Sequence, residues 1–177
     1  MQPVIRSVDV KSVEDRVGLI NYYIQQGRKD PSIRRLASRI LTQRCGNSWC
    51  VEEKDWFGEV SAIFGWMRHN TRYTLDPYSL ELFQKPKRAV QFGTTDCDDQ
   101  TILAGSLLQS VGYPVRIVII DTGHGGWSHV YLHIGLPPMD PRRWISFDLT
   151  ATKEQLGWEM PAQSIKRKRV FEIPEAE

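Results

Sequence analysis

The sequence predicts an α+β domain, with helices first and an antiparallel sheet last. Three observations carry that expectation. Apolar residues recur at helical spacing through the first two thirds of the chain. The period then changes to two over the final third, where β-branched and alternating segments follow one another. The strands come after the helices rather than between them, which argues against βαβ units. At 177 residues one compact domain is expected. An apolar fraction of 41% with 25% charged residues is that of a globular chain.

Residues 10–44 read as helical. Val13, Val17, Ile20 and Ile24 line one face; after Gly27 and Pro31, the residues Ile33, Leu36, Ala37, Ile40 and Leu41 line another. CGNSWC (45–50) reads as a loop. Trp56, Val60, Ile63, Phe64 and Met67 then mark a third helix, with Asp55 near its start. Residues 70–93 hold Pro77, Pro86 and Gly93 and few periodic apolars, so they read as a long loop, a class often functional. TTDCDD (94–99) opens a helix that carries Ile102, Leu103, Leu107, Leu108 and Val111 and stops at Gly112 and Pro114. Strands are expected at VRIVIID (115–121), SHVYLHI (128–134) and WISFDLT (144–150). The basic run from Lys166 to Arg169 reads as a solvated edge rather than a binding patch.

Several functions are set aside by composition. A formal charge of +2 is too balanced to imply a nucleic-acid partner. No apolar run approaches the ~20 residues needed to span a bilayer. The first residues carry charges where a signal peptide has an apolar stretch, so a cytoplasmic protein is expected. Three cysteines make no disulfide framework, and Cys45 and Cys50 lack the second ligand pair of a zinc site.

Cys97 stands out because it opens a helix. Unpaired N–H groups and the helix dipole favour an anion there. Asp96, Asp98 and Asp99 push the other way, so a reactive thiolate needs a cation, and histidine is the usual one. Alternation places His129, Tyr131 and His133 on one strand face, and Trp144, Ser146, Asp148 and Thr150 on one face of the next. A hairpin centred on Pro138–Met139 sets His129 opposite Asp148 and His133 opposite Trp144. An imidazole held by a carboxylate is the base half of a nucleophilic triad, although such a pair alone is more often structural. An imidazolium partner would keep the Cys97 thiolate well below the free thiol value of about 8.5. Asp98 and Asp99 read as dipole partners and salt-bridge acceptors, with Arg72 and Arg116 available to them. The glycines of TGHGGW (122–127), Gly123, Gly125 and Gly126, read as hinges of a rim around His124.

The order of Cys97, then His129 on a strand, then Asp148 on the next strand resembles the transglutaminase-like superfamily. The segments that carry the resemblance are GTTDCDDQTILAGSLLQSVGYPVR (93–116), SHVYLHI, WISFDLT and the lead-in FGWMRHNTRYTLDP (64–77). It covers roughly residues 56–152, and the cysteine helix is its most specific part. One departure is Thr95, where many members have glycine; Thr95 is expected to cap the helix instead.

The resemblance implies a papain-like α+β core, with the cysteine-bearing helix packed on an antiparallel sheet. Residues 1–55 would form a helical extension packed on a catalytic core of residues 56–177. It also implies Cys97 as nucleophile, His129 as base and Asp148 as orienting residue, with no metal or other cofactor. The reaction would be acyl transfer or amide hydrolysis on a protein or peptide through a thioester. Tyr73 and Trp127 are candidates for a second oxyanion donor or a substrate rim. Compact bacterial and phage chains are similar, which makes a phage or prophage origin an expectation. Two alternatives stay open: a structural or binding module, for instance in a phage particle, and a zinc site built from Cys97, His129 and Asp148.

Overall fold

The structure is a computed structural model that describes residues 12–75, 82–123 and 126–173. Helix α1 (Val13–Arg28) begins at Ser12, whose hydroxyl accepts the Asp15 N–H, and buries Val17, Ile20, Ile24 and Gly27. Helix α2 (Pro31–Leu41) has Asp30 as its cap and Pro31 in its first turn, where a missing N–H does no harm. Of the expected helical span, residues 10 and 11 lie outside the described residues, and the helices end at Leu41. The stretch read as a loop is a small hairpin of β1 (Arg44–Cys45) and β2 (Ser48–Trp49), bridged by a Cys45–Cys50 disulfide.

Helix α3 (Trp56–Asn70) is capped by Asp55, whose carboxylate accepts the Gly58 N–H. The following segment corrects a sequence expectation. Residues 70–93 contain β3 (Arg72–Tyr73) and helix α4 (Pro86–Phe92) rather than a continuous loop; Pro77 lies outside the described residues. Pro86 starts α4 and Gly93 ends it in the left-handed region at φ 65°. The two residues read as loop signals are a helix's start and stop. Strand β3 pairs in parallel with β4 (Thr94–Thr95), directly before helix α5 (Cys97–Ser110).

Every residue of α5 from Cys97 to Leu108 is buried. The four preceding helices pack on one side of it, and the sheet lies on the other. That sheet has the order β7-β6-β5-β8, from β5 (Val115–Asp121), β6 (His129–Leu136), β7 (Arg143–Phe147) and β8 (Arg167–Glu172), with all neighbours antiparallel. Val130, Leu132 and Ile134 join the core beneath α5, as strand alternation requires. Val118, Ile120 and Tyr131 face the opposite way, under Met160 and Ile165. The basic tail forms the edge strand β8, largely exposed. Among the described residues, no helix is long and apolar enough to cross a membrane.

The β6–β7 register differs from the expected one by two residues. Leu136 lies opposite Arg143 and His133 opposite Ser146, because the Arg142 N–H closes the connection onto Leu136 O at 3.0 Å. The turn is therefore centred one residue later than Pro138–Met139. A slip of two keeps each side chain on its face, whereas a slip of one would have exchanged the faces.

Where α1 crosses α5 the backbones come close. A Cβ on Gly27 would lie 2.6 Å from the Pro86 ring and still nearer to the Ser106 hydroxyl. Replacing a helical glycine with alanine ordinarily gains about 1 kcal/mol. Gly27→Ala should instead lower stability by roughly 1–3 kcal/mol, the scale of overpacking. A urea titration of the variant against the parent protein checks this; a higher midpoint would show that the crossing relaxes freely.

Candidate active site

The start of α5 positions the sulfur. Asp96 is its N-cap, with a carboxylate that accepts the Asp99 N–H at 2.8 Å. The capping residue is thus Asp96 and not Thr95, which sits in β4 with its side chain buried. Cys97 is the first helical residue and is 8% exposed. Its sulfur accepts the Val130 N–H, which brings it beside the start of β6.

His129 opens β6, and its Nε2 lies 2.7 Å from Asp148 Oδ2. The two side chains are 14% and 6% exposed. In the observed register they are diagonal rather than directly opposed neighbours, and a diagonal is within reach of a ring. Asp148 stands just beyond the last residue of β7. Its Oδ1 accepts both the Thr150 N–H at 3.0 Å and the Thr150 hydroxyl at 2.6 Å, an Asx-turn that ends the strand short of the expected Thr150. Arg68 of α3 donates to the carbonyls of Thr152 and Glu154 and holds the chain that follows. Burial works against the charge of Asp148. The His129 and Thr150 hydrogen bonds outweigh it and hold the carboxyl below its usual range. Because Asp148 binds Nε2, the nitrogen left to act as base is Nδ1, with Nε2 assigned the proton. Cys97 and Asp148 line one small cavity together with Gln100, Thr101 and Val130.

The acids around the thiol have partners that the sequence did not indicate. Arg16 of α1 straddles Asp98, with Nε 3.0 Å from Oδ1 and Nη2 2.9 Å from Oδ2. Arg16 Nη1 donates to Trp127 O at 3.1 Å, and Nη2 lies 3.7 Å from Cys97 Sγ. Asp99 accepts from the Gln84 backbone at 2.7 Å and side chain at 2.6 Å. Of the expected partners, Arg116 pairs with Glu172 instead, and its guanidinium lies 3.6 Å from the centre of the Trp144 ring. Sequence reasoning had no signal for Arg16, which is 82 residues from Asp98.

His133 also finds a carboxylate that the sequence did not suggest. Its Nε2 is 2.8 Å from Glu159 Oε1, which also accepts from Tyr131 and Lys168 at 2.6 Å each. Burial opposes the Glu159 charge, yet those three bonds pull its carboxyl down to about 2. Tyr73, in β3, is 40% exposed. Burial and the charges of Cys97, Asp96, Asp98 and Asp148 push its hydroxyl up to about 12. Trp127 gives its backbone carbonyl to Arg16, and the Arg167 guanidinium covers its ring at 4.8 Å. His124 and Gly125 lie outside the described residues. Among the described residues no cluster of His, Cys, Asp and Glu could hold a metal ion.

A cysteine at the start of a buried helix, beside an antiparallel sheet whose next strand opens on a carboxylate-held histidine, marks a papain-like fold. Residues 46–149 match the model of the transglutaminase-like superfamily, more than half of the chain, and the chain belongs to that superfamily. Two solved structures share the fold. A candidate protease from Parabacteroides distasonis has a TM-score of 0.56 at 11% identity, over 77% of this chain and 27% of that one. A candidate cysteine protease from Cytophaga hutchinsonii has a TM-score of 0.51 at 16% identity, over 95% of this chain and 55% of that one. The chain thus spans about a quarter and about half of the lengths of these two proteins. No curated protein matches the sequence.

The thiol departs from the sequence expectation. Burial, reinforced by Asp98 and Asp96, pushes Cys97 up to about 12, while Arg16 and the Val130 N–H pull in the other direction. A folded value above the free thiol's means the native state keeps its proton longer than the unfolded chain does. Alkylation of Cys97 by iodoacetamide should therefore keep rising above pH ~8.5 without a plateau, from a rate at neutral pH below that of a free thiol. Over the same alkaline range the fold should lose stability as pH rises, because unfolding releases the proton. A plateau below pH ~8 would instead show a preformed ion pair.

Proposed function

We propose that the protein is a thiol-dependent acyltransferase or amide hydrolase acting on protein or peptide substrates, with Cys97 as nucleophile, His129 as base and Asp148 as its orienting partner. The observation that carries this reading is the 2.7 Å bond between His129 Nε2 and Asp148, beside the helix start that bears Cys97. The buried thiol is neutral at rest, so its proton passes to His129 Nδ1 as the sulfur attacks the carbonyl carbon. The resulting imidazolium is stabilised by Asp148, whose lowered value keeps it charged. His129 then returns the proton to the leaving ammonia or amine, and a thioester remains on Cys97. Water or a second amine attacks the thioester, its proton goes to His129, and His129 passes that proton to the departing sulfur, which restores the neutral thiol.

The tetrahedral oxygen needs donors. The Cys97 N–H, at the first position of α5, has no partner one turn earlier in the helix. Tyr73 is the better candidate for a second donor, since its hydroxyl stays protonated to about 12 and feels the charge of Cys97. One observation favours a different reading. Cys97 is almost wholly buried, as in a binding module that keeps this fold without turnover, in a phage particle or elsewhere.

A screen of glutamine peptides for ammonia release, with and without an added amine, separates the two readings. Turnover that disappears in Cys97→Ala is expected, with a loss of at least ~10²-fold in kcat for His129→Ala, the usual worth of a positioned base. His133→Ala should leave kcat within about threefold, since its imidazole is held by Glu159. No turnover of glutamine or backbone amides would favour the binding module.

A further inference from the structure

Among the described residues, the guanidinium of Arg16 reaches three partners at once. It grips Asp98 with Nε and Nη2, reaches the Trp127 carbonyl with Nη1, and sets Nη2 3.7 Å from the Cys97 sulfur. Its side chain is 12% exposed and that of Asp98 only 1%. A buried ion pair is a weak device for stability, since apolar residues of the same volume serve as well or better. The cation of this pair also comes from α1, outside residues 46–149 that match the superfamily.

We propose that Arg16 is a positioning residue for Cys97: it cancels the buried charge of Asp98 and turns a permanent cation toward the sulfur that must become anionic. Helix α1 is then part of the active site rather than an appendage to it. The inference rests on Cys97 being the nucleophile. Among the described residues, the charged and titratable groups near the sulfur are Asp96 and Asp98 at its own helix start, Arg16 from α1, Tyr73 from β3, and Asp148, which lines the same cavity and holds His129. Among them Arg16 is the one that keeps a positive charge at every accessible pH. Asp98 raises the thiol and Arg16 lowers it, so the two oppose each other at the sulfur. His129 is to receive the proton while Arg16, 3.7 Å from the sulfur, faces the new thiolate, so the negative charge develops beside a cation already in place.

The test uses opposed signs. Iodoacetamide labelling of Cys97, followed by peptide mapping, is measured against pH in the full chain and in Arg16→Gln, Arg16→Lys, Asp98→Asn and the Arg16→Gln/Asp98→Asn double variant. Arg16→Gln should slow labelling at neutral pH by roughly tenfold, the effect of one unit in the thiol pKa. Asp98→Asn should speed it by a similar factor. The double variant should return to within about threefold of the parent, and Arg16→Lys should fall between the parent and Arg16→Gln. Unfolding would expose the thiol and accelerate labelling, so a slower Arg16→Gln cannot arise from loss of fold. If both single substitutions change the rate in the same direction, or neither changes it, the pair is structural and the proposal fails. The labelling needs no substrate. Absence of amide turnover with the opposed signs intact would sink the enzymatic reading and leave the charge relation standing.

Discussion

The enclosure of α5 is the constraint on which the rest depends. A helix covered by other helices on one side and by a sheet on the other has no solvated face for polar residues. Its first turn nevertheless carries Asp98 and Asp99, each 1% exposed. Buried carboxylates must be paired or hydrogen-bonded, because an isolated charge in the interior is very costly. The partners therefore come from elsewhere: Arg16 from α1 for Asp98, and Gln84 from the segment before α4 for Asp99. Satisfying two acids fixes where α1 and residues 82–85 sit, and it encloses the cysteine among them.

Much of the sheet side was legible because strands obey a short, strict rule. Alternation put His129 and Asp148 on one face, and that placement survived a two-residue error in register. Had the connection been misjudged by one residue, the same argument would have set Asp148 opposite Val130 and exchanged the faces. The exact pairing depended on how Arg142 closes onto Leu136, which no local pattern announces. On the helical side, Asp55 and Gly112 were readable as boundaries. Pro86 and Gly93 were misread, because the same two residue types punctuate loops and bound short helices, and seven residues offer too little periodicity to decide.

Charge partners were the least legible part. Arg72 and Arg116 were reasonable partners for the acids by type, but a salt bridge is chosen by proximity in the fold, not in the chain. Arg16 meets Asp98 across 82 residues and Glu159 meets His133 across 26. The sign of the thiol's shift followed from the same gap. Helix dipole and imidazole were visible in the sequence; the depth of burial that overrides them was not.

The strand order has a consequence for how the chain acquires its form. Strand β5 sits between β6, which follows it directly, and β8, which begins 46 residues after Asp121. Arg169 on β8 bonds Glu14 on α1 across 155 residues, two residues from the arginine that reaches the thiol. Contacts this distant in sequence close late and slow folding, because loop entropy must be overcome before they contribute. On the ribosome β5 keeps one edge open until residues 167–172 emerge, and the first helix gains its last tether only then. A nascent chain thus carries Cys97, the first residue of α5, well before it carries the strand that completes the sheet.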